Sequence, residues 1–194
     1  MGNFDIWLDV NFFMFRHLDD AESSSQGSST YVDRRVHCCL YFISPYGHGL
    51  KPMDLEFMKE LSTKVNVIPV IAKADCLSIN EVKKMKARIA EEIKSEDIKI
   101  YQIPQVGLRD SVPFTVCGAD TMVEVESKTI RGRQYSWGMV EVDNPDHCDF
   151  SKLKNVLVDH RQDMMDVTNN VHYEKFRRDA KSVSSLVKNF NNNY

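Results

Sequence analysis

The tetrapeptide Ala72-Lys73-Ala74-Asp75 follows an apolar run, Val65-Asn-Val-Ile-Pro-Val-Ile71, and holds the most specific chemistry in the chain. A guanine ring presents adjacent N–H donors on one edge, and a single ionised Asp accepts from both. A Lys two positions earlier lays its alkyl stem over the ring while its ammonium stays in water. Gly118, after a later short apolar run, lets backbone approach a flat base closely. The plain alternative is a strand that ends in polar residues, because short motifs recur by accident.

What positions these residues is legible upstream. Val36-His-Cys-Cys-Leu-Tyr-Phe-Ile43 is a continuous apolar run of strand length. Ser44-Pro-Tyr-Gly-His-Gly49 reads as a loop, and Met53 to Lys64 as a helix with Leu55, Met58, Leu61 and Val65 on its buried face. Strand, helix and strand make a parallel βαβ unit, whose ligands bind beyond the carboxyl ends of the strands. Lys73 and Asp75 leave the second strand at such an end.

Further along, Ser78 and Glu81 form a capping box that opens a helix with Val82, Met85, Ile89 and Ile93 inward. Ile98 to Ile103 alternates as a strand, Gln105 to Ser111 shows no helical pattern, and Val112 to Val116 is a short buried strand. Met122–Val125 and Lys128–Ile130 read as a hairpin, with a further strand at Met139–Val142. Asp149 is expected to cap a helix burying Leu153, Val156, Leu157 and Met164. Tyr173, Phe176, Ala180, Val183, Val187 and Phe190 form a short heptad seam. At the other end, Phe4 to Leu18 has helical spacing, and 19–30 is a Ser-rich loop.

Composition bounds the class. The 194 residues suffice for one ordinary domain with an appendage, and a net charge of −3 gives no general reason to expect nucleic acid or an anionic membrane as partner. No apolar run reaches the length of a membrane span, and the first residues lack a signal-peptide pattern. Five cysteines without framework spacing suit a reducing compartment, which places the chain in the cytoplasm.

Several long strings resemble the septin family, closest to the septin seven group. Val36 to Asp75, including Ser44-Pro-Tyr-Gly-His-Gly-Leu50, is similar to the centre of a septin GTP-binding domain. Arg131-Gly-Arg-Gln-Tyr-Ser-Trp-Gly138 and Val142-Asp-Asn-Pro-Asp-His-Cys-Asp-Phe150 resemble the septin unique element. Asp166 to Arg177 resembles the lead into the family's last domain helix. The resemblance covers roughly 31–178 and implies a divergent segment at 1–30 and a partial G domain at 31–132. It implies the unique element at 133–178 and a terminal helix and tail at 179–194. The implied fold is α/β, a partial Ras-like, mostly parallel sheet with flanking helices.

The resemblance implies that Lys73 and Asp75 hold guanine, that Gly118 contacts it through backbone and that Arg133 stacks on it. It implies that His48, Glu81, Trp137 and His147 lie at a nucleotide-side interface between subunits. Other septins are the implied partners, in cytoskeletal filaments that serve cytokinesis, with membrane association only through the assembly. GTP or GDP is the implied cofactor.

This chain departs from the family where the phosphates would sit. It contains no G-x-x-x-x-G-K-[ST] string and no Asp-x-x-Gly string. Phosphate contacts and Mg²⁺ supply nearly all catalysis in such enzymes. No Mg²⁺ and no hydrolysis are therefore expected, and the chain reads as an interaction subunit with impaired nucleotide binding. The alternatives are a competent GTPase with an unrecognised phosphate loop in 1–30, or a non-functional truncated product. In the implied fold a missing neighbour would leave the strand at 36–43 as an edge, with Leu40, Phe42 and Ile43 open on both faces. His37-Cys38-Cys39 and His147-Cys148 offer metal-ligand types but lack metal-site spacing, so no metal is expected.

Overall fold

The computed structural model describes residues 33, 35–125 and 128–181. They belong to two compact units, one of Cys38–Met164 and one that combines Met1–His37 with Met165–Tyr194. The expected helix at 4–18, the loop at 19–30, and Val183, Val187 and Phe190 of the terminal seam lie outside the described residues.

The first unit opens with β1 (Cys39–Ile43), α1 (Pro52–Ser62) and β2 (Val67–Ile71), the expected βαβ unit. β1 and β2 pair in parallel with Cys39 opposite Val67 and Ile43 opposite Ile71. Ile43, Val67, Ile68, Val70 and Ile71 are all within 1% of full burial, as the strands of a helix-covered parallel sheet should be. β1 is the edge of the described sheet, but only one of its faces is open. Phe42 is 58% exposed, whereas Ile43 is buried and Leu40 half-buried. Successive side chains on a strand point to opposite faces, so the expectation of three open residues is corrected to one.

β2 explains a second difference. The segment 98–103 alternates like a strand but is not one in the structure. Its Tyr101 N–H donates to the Val67 carbonyl at 2.9 Å. The next rung of a parallel ladder would need the N–H of residue 69, which is Pro69 and has none. The ladder resumes past the proline, where Val70 and Ile71 pair with β3 (Phe114–Thr115). Between them, Val106–Arg109 forms a one-turn helix, α3, where the sequence shows no helical pattern; α2 (Ile79–Ser95) precedes it. α2 starts at Ser78 through the expected reciprocal cap with Glu81 and buries Met85, Ile89 and Ile93.

A second, antiparallel sheet follows, made of β4 (Met122–Val125), β5 (Lys128–Tyr135) and β6 (Gly138–Glu141). β5 and β6 form a tight hairpin closed by Ser136 and Trp137, with Arg133 opposite Val140 and Tyr135 opposite Gly138. β5 runs five residues longer than the sequence suggests.

Asp149 precedes α4 (Phe150–Asp159) as expected, but its carboxylate makes no capping bond. It turns instead to β3, accepting from the Thr115 N–H at 3.0 Å and the Thr115 hydroxyl at 2.8 Å. Lys86 of α2 reaches one carboxylate oxygen at 2.5 Å and Lys152 the other at 2.9 Å. Two ammonium groups and a strand edge outweigh one helix cap. The expected helix through Met164 is also divided, because α4 ends at Asp159 and α5 (Arg161–Val167) begins after His160.

The other unit contains a π-helical turn, Thr168–Tyr173. Arg35 pairs with Asp33 at 2.6 Å and lies over the Tyr173 ring, as does Arg177.

Asp149 makes acid sensitivity specific. Burial pushes its carboxyl up, but the hydrogen bonds from Lys152, Lys86 and Thr115 outweigh that and hold it at about 2. A depressed folded pKa gives stability that is present above the ordinary value and lost as pH falls through about 2. This group then accounts for about 2 kcal/mol of the loss between pH 5 and pH 2. Denaturant unfolding across that range should show a shallower pH slope in Asp149→Asn than in the parent, together with lower stability at pH 7. Equal slopes would contradict the assignment.

Candidate functional site

Beyond β2 the backbone turns sharply. Lys73 adopts the left-handed conformation, with φ of 52°, and caps a 3₁₀ turn, Ala74–Cys76, whose second residue is Asp75. The Ala74 N–H donates to the Val116 carbonyl at 3.0 Å, which fixes this turn against the chain leaving β3. Gly118 lies two residues past Val116. A Cβ built on Gly118 would meet nothing within 4 Å, so the protein's own packing does not require glycine there.

The Asp75 side chain is 2% exposed and its two oxygens are treated differently. Oδ2 accepts from Arg133 Nη1 at 3.0 Å and from the Tyr135 hydroxyl. No donor among the described residues reaches Oδ1, although it is buried. Burial pushes the carboxyl up, but the bond from Tyr135, the nearby dipoles of its own backbone N–H and the Cys117 thiol, and the Arg133 charge outweigh that. The acid therefore titrates below the ordinary carboxylate value. Cys117 is pushed up to about 12, mainly by burial and then by the Asp75 charge, so it remains a neutral thiol. Tyr135 is raised chiefly by its bond to Asp75 and remains a donor. The result is an ionised, nearly dry carboxylate with one satisfied oxygen and one open one. A neutral N–H donor that reached Oδ1 would gain a bond at little further desolvation cost.

The structure thus brings Lys73, Asp75 and Arg133 to one end of the sheet, with Gly118 on the adjoining segment. Arg133 pairs with Asp75 at 3.0 Å, whereas the resemblance implies that it stacks on a base. Lys73 places its ammonium 5.7 Å from the centre of the Tyr46 ring. Tyr135, Tyr46 and Cys117 were not singled out from sequence. For Tyr135 a signal existed: two residues after Arg133 on one strand, it shares Arg133's face.

His48, Glu81, Trp137 and His147 are all exposed in the same unit. Glu81 is committed to the cap of α2, accepting from the Ser78 N–H at 2.8 Å. His147 accepts the Glu141 N–H on Nδ1 at 3.0 Å. Trp137 is 65% exposed, so it is not a core residue, and its ring stacks on Tyr135 at 4.9 Å and 5°. An indole in water, backed by a second ring, has the form of a docking anchor.

The comparisons with known proteins agree on one family. A model of the septin family matches residues 10–189, more of the chain than the motifs at 31–178. Septin-1 of Drosophila melanogaster is 53% identical over 171 residues, covering 81% of this chain and 47% of that protein. Septin-2B of Xenopus tropicalis is 46% identical over 198 aligned positions, covering 94% and 55%. Among solved structures, the septin GTPase domain of Chlamydomonas reinhardtii superposes with a TM-score of 0.77 at 25% identity, covering 91% of this chain and 68% of that one. The chain spans about half the length of these two relatives.

The hairpin that carries Arg133 and Tyr135 is tightly packed at Gly132. A Cβ at Gly132 would lie 2.5 Å from the Val140 carbonyl oxygen, a contact that only backbone movement relieves. Gly132→Ala should lower stability by about 1–3 kcal/mol, as overpacking does, whereas Gly118→Ala should stay within about 0.5 kcal/mol. Thermal unfolding of the two variants decides it, and equal midpoints would be wrong for this geometry.

Proposed function

The chain belongs to the septin family, and on that premise we propose that it is a septin subunit that reads a guanine base through Asp75. In this reading Asp75 Oδ1 accepts from the N–H edge of the base, Arg133 and the Lys73 stem lie against its faces, and Gly118 leaves room for backbone approach. The observation that carries it is the buried carboxylate with an unpartnered oxygen at the carboxyl end of a parallel strand. Such an acceptor can take an N–H from a ligand.

The phosphate side is read differently. The sequence offers no Gly-rich loop ending in Lys and Ser or Thr to hold a β-phosphate. Nucleotide binding by this polypeptide alone is therefore weak, dominated by the base, and without hydrolysis. Its role is structural: association with other septins in a cytoskeletal assembly, through the exposed residues His48, Trp137 and His147.

Two experiments test this. Calorimetric titration with GDP should show weak binding that Asp75→Asn reduces at least about tenfold, the worth of a charge-assisted bond. GTP turnover should not exceed that of a Lys73→Ala/Asp75→Ala double variant. Undiminished binding by Asp75→Asn would refute the base-reading role. In co-purification with a full-length septin, Trp137→Ala should reduce recovery several-fold, in line with loss of an aromatic anchor. Unchanged recovery would remove Trp137 from the interface.

A further inference from the structure

Asp75 is not simply open to a base. Its Oδ2 already carries two donors, one of them the hydroxyl of Tyr135. A guanine edge engages both carboxylate oxygens when its two N–H groups bind side by side. Oδ1 carries no donor among the described residues but is buried, so a base gains it only once the cover over Asp75 shifts, whereas Oδ2 is also already occupied. We infer that Tyr135 is a positioning residue that occupies Oδ2 in place of the second guanine donor, so that two-point recognition of the base requires Tyr135 to withdraw. This inference rests on the base-reading role proposed above and deepens it.

The neighbours of Tyr135 give the withdrawal a consequence. Its ring lies flat against Trp137, at 4.9 Å and 5°. Tyr135 ends β5 and Trp137 lies in the two-residue turn of the β5–β6 hairpin, where Tyr135 pairs with Gly138. Gly138 has φ of +153°, a conformation that a residue with a side chain rarely adopts, so this turn is held by its glycine. A hydroxyl that leaves Asp75 therefore drags a ring stacked on an exposed indole. Base binding at Asp75 and contact at Trp137 act on one two-ring element. Arg133 differs from Tyr135 here: its guanidinium is 44% exposed and can swing over a ring face while remaining in water.

The test compares the parent chain, Tyr135→Phe and Asp75→Asn, each in a Trp7→Phe background so that Trp137 is the sole tryptophan. Tyr135→Phe keeps the stacked ring and removes only the hydroxyl. GDP is titrated by calorimetry, with Trp137 emission recorded in parallel. We expect Tyr135→Phe to bind GDP about fivefold to tenfold more tightly than the parent, since no internal donor need be displaced. GDP should shift Trp137 emission in the parent and much less in Tyr135→Phe, a difference that a purely structural role of the hydroxyl would not produce. Equal GDP affinity in parent and Tyr135→Phe, with loss in Asp75→Asn, would overturn this inference and leave the base-reading role intact. Weaker binding by Tyr135→Phe would overturn it in the same way. No binding by any of the three proteins would overturn both.

Discussion

A carboxylate withdrawn from water must be answered by donors or by cations, and at Asp75 that requirement organises the whole end of the sheet. The side chain can be buried because Arg133 and Tyr135 reach it from a hairpin nearly sixty residues away in sequence. The hairpin can reach it because the chain leaving β3 is bonded to the same turn through Val116. Among the described residues, removing Arg133 would leave the Tyr135 hydroxyl as the one side-chain donor bonded to a charge in a nearly dry site. The incomplete satisfaction of the group, on Oδ1 only, is the feature on which the proposed reading of a base rests.

Asp149 shows the same chemistry carried to completion. Both of its oxygens are taken, by Lys86, Lys152 and Thr115, and it joins α2, β3 and the start of α4. Nothing is left over for a ligand, and the group serves as a clamp. In the proposed reading, two buried aspartates in one unit divide between stability and recognition according to how many acceptor positions the protein itself fills. The division follows from the donor inventory around each group rather than from burial alone.

Much of this was legible in the sequence, where local chemistry fixed it. The βαβ unit followed from two apolar runs flanking an amphipathic helix, and the cap of α2 followed from Ser78 and Glu81. The septin membership was carried by long strings such as Ser44 to Leu50 and Arg131 to Gly138. What was hidden depended on contacts distant in sequence. The segment 98–103 has a strand's alternation, but Pro69 on its neighbour withholds the needed N–H. Asp149 has the position of a helix cap, yet two lysines and Thr115 claim its carboxylate. Arg133 lies beside Asp75 because a hairpin folds back to the carboxyl end of β2, a contact set by three-dimensional geometry that sequence spacing does not give. Tyr135 was overlooked although its spacing from Arg133 put it on the same face.

The most direct measurement of the central claim is a crystal structure of this polypeptide grown with GDP. The account requires the guanine edge within hydrogen-bond distance of Asp75 Oδ1, with Arg133 moved from Oδ2 to the face of the ring. A nucleotide bound elsewhere, with Asp75 still held by Arg133 and Tyr135 and Oδ1 still without a donor, would contradict it.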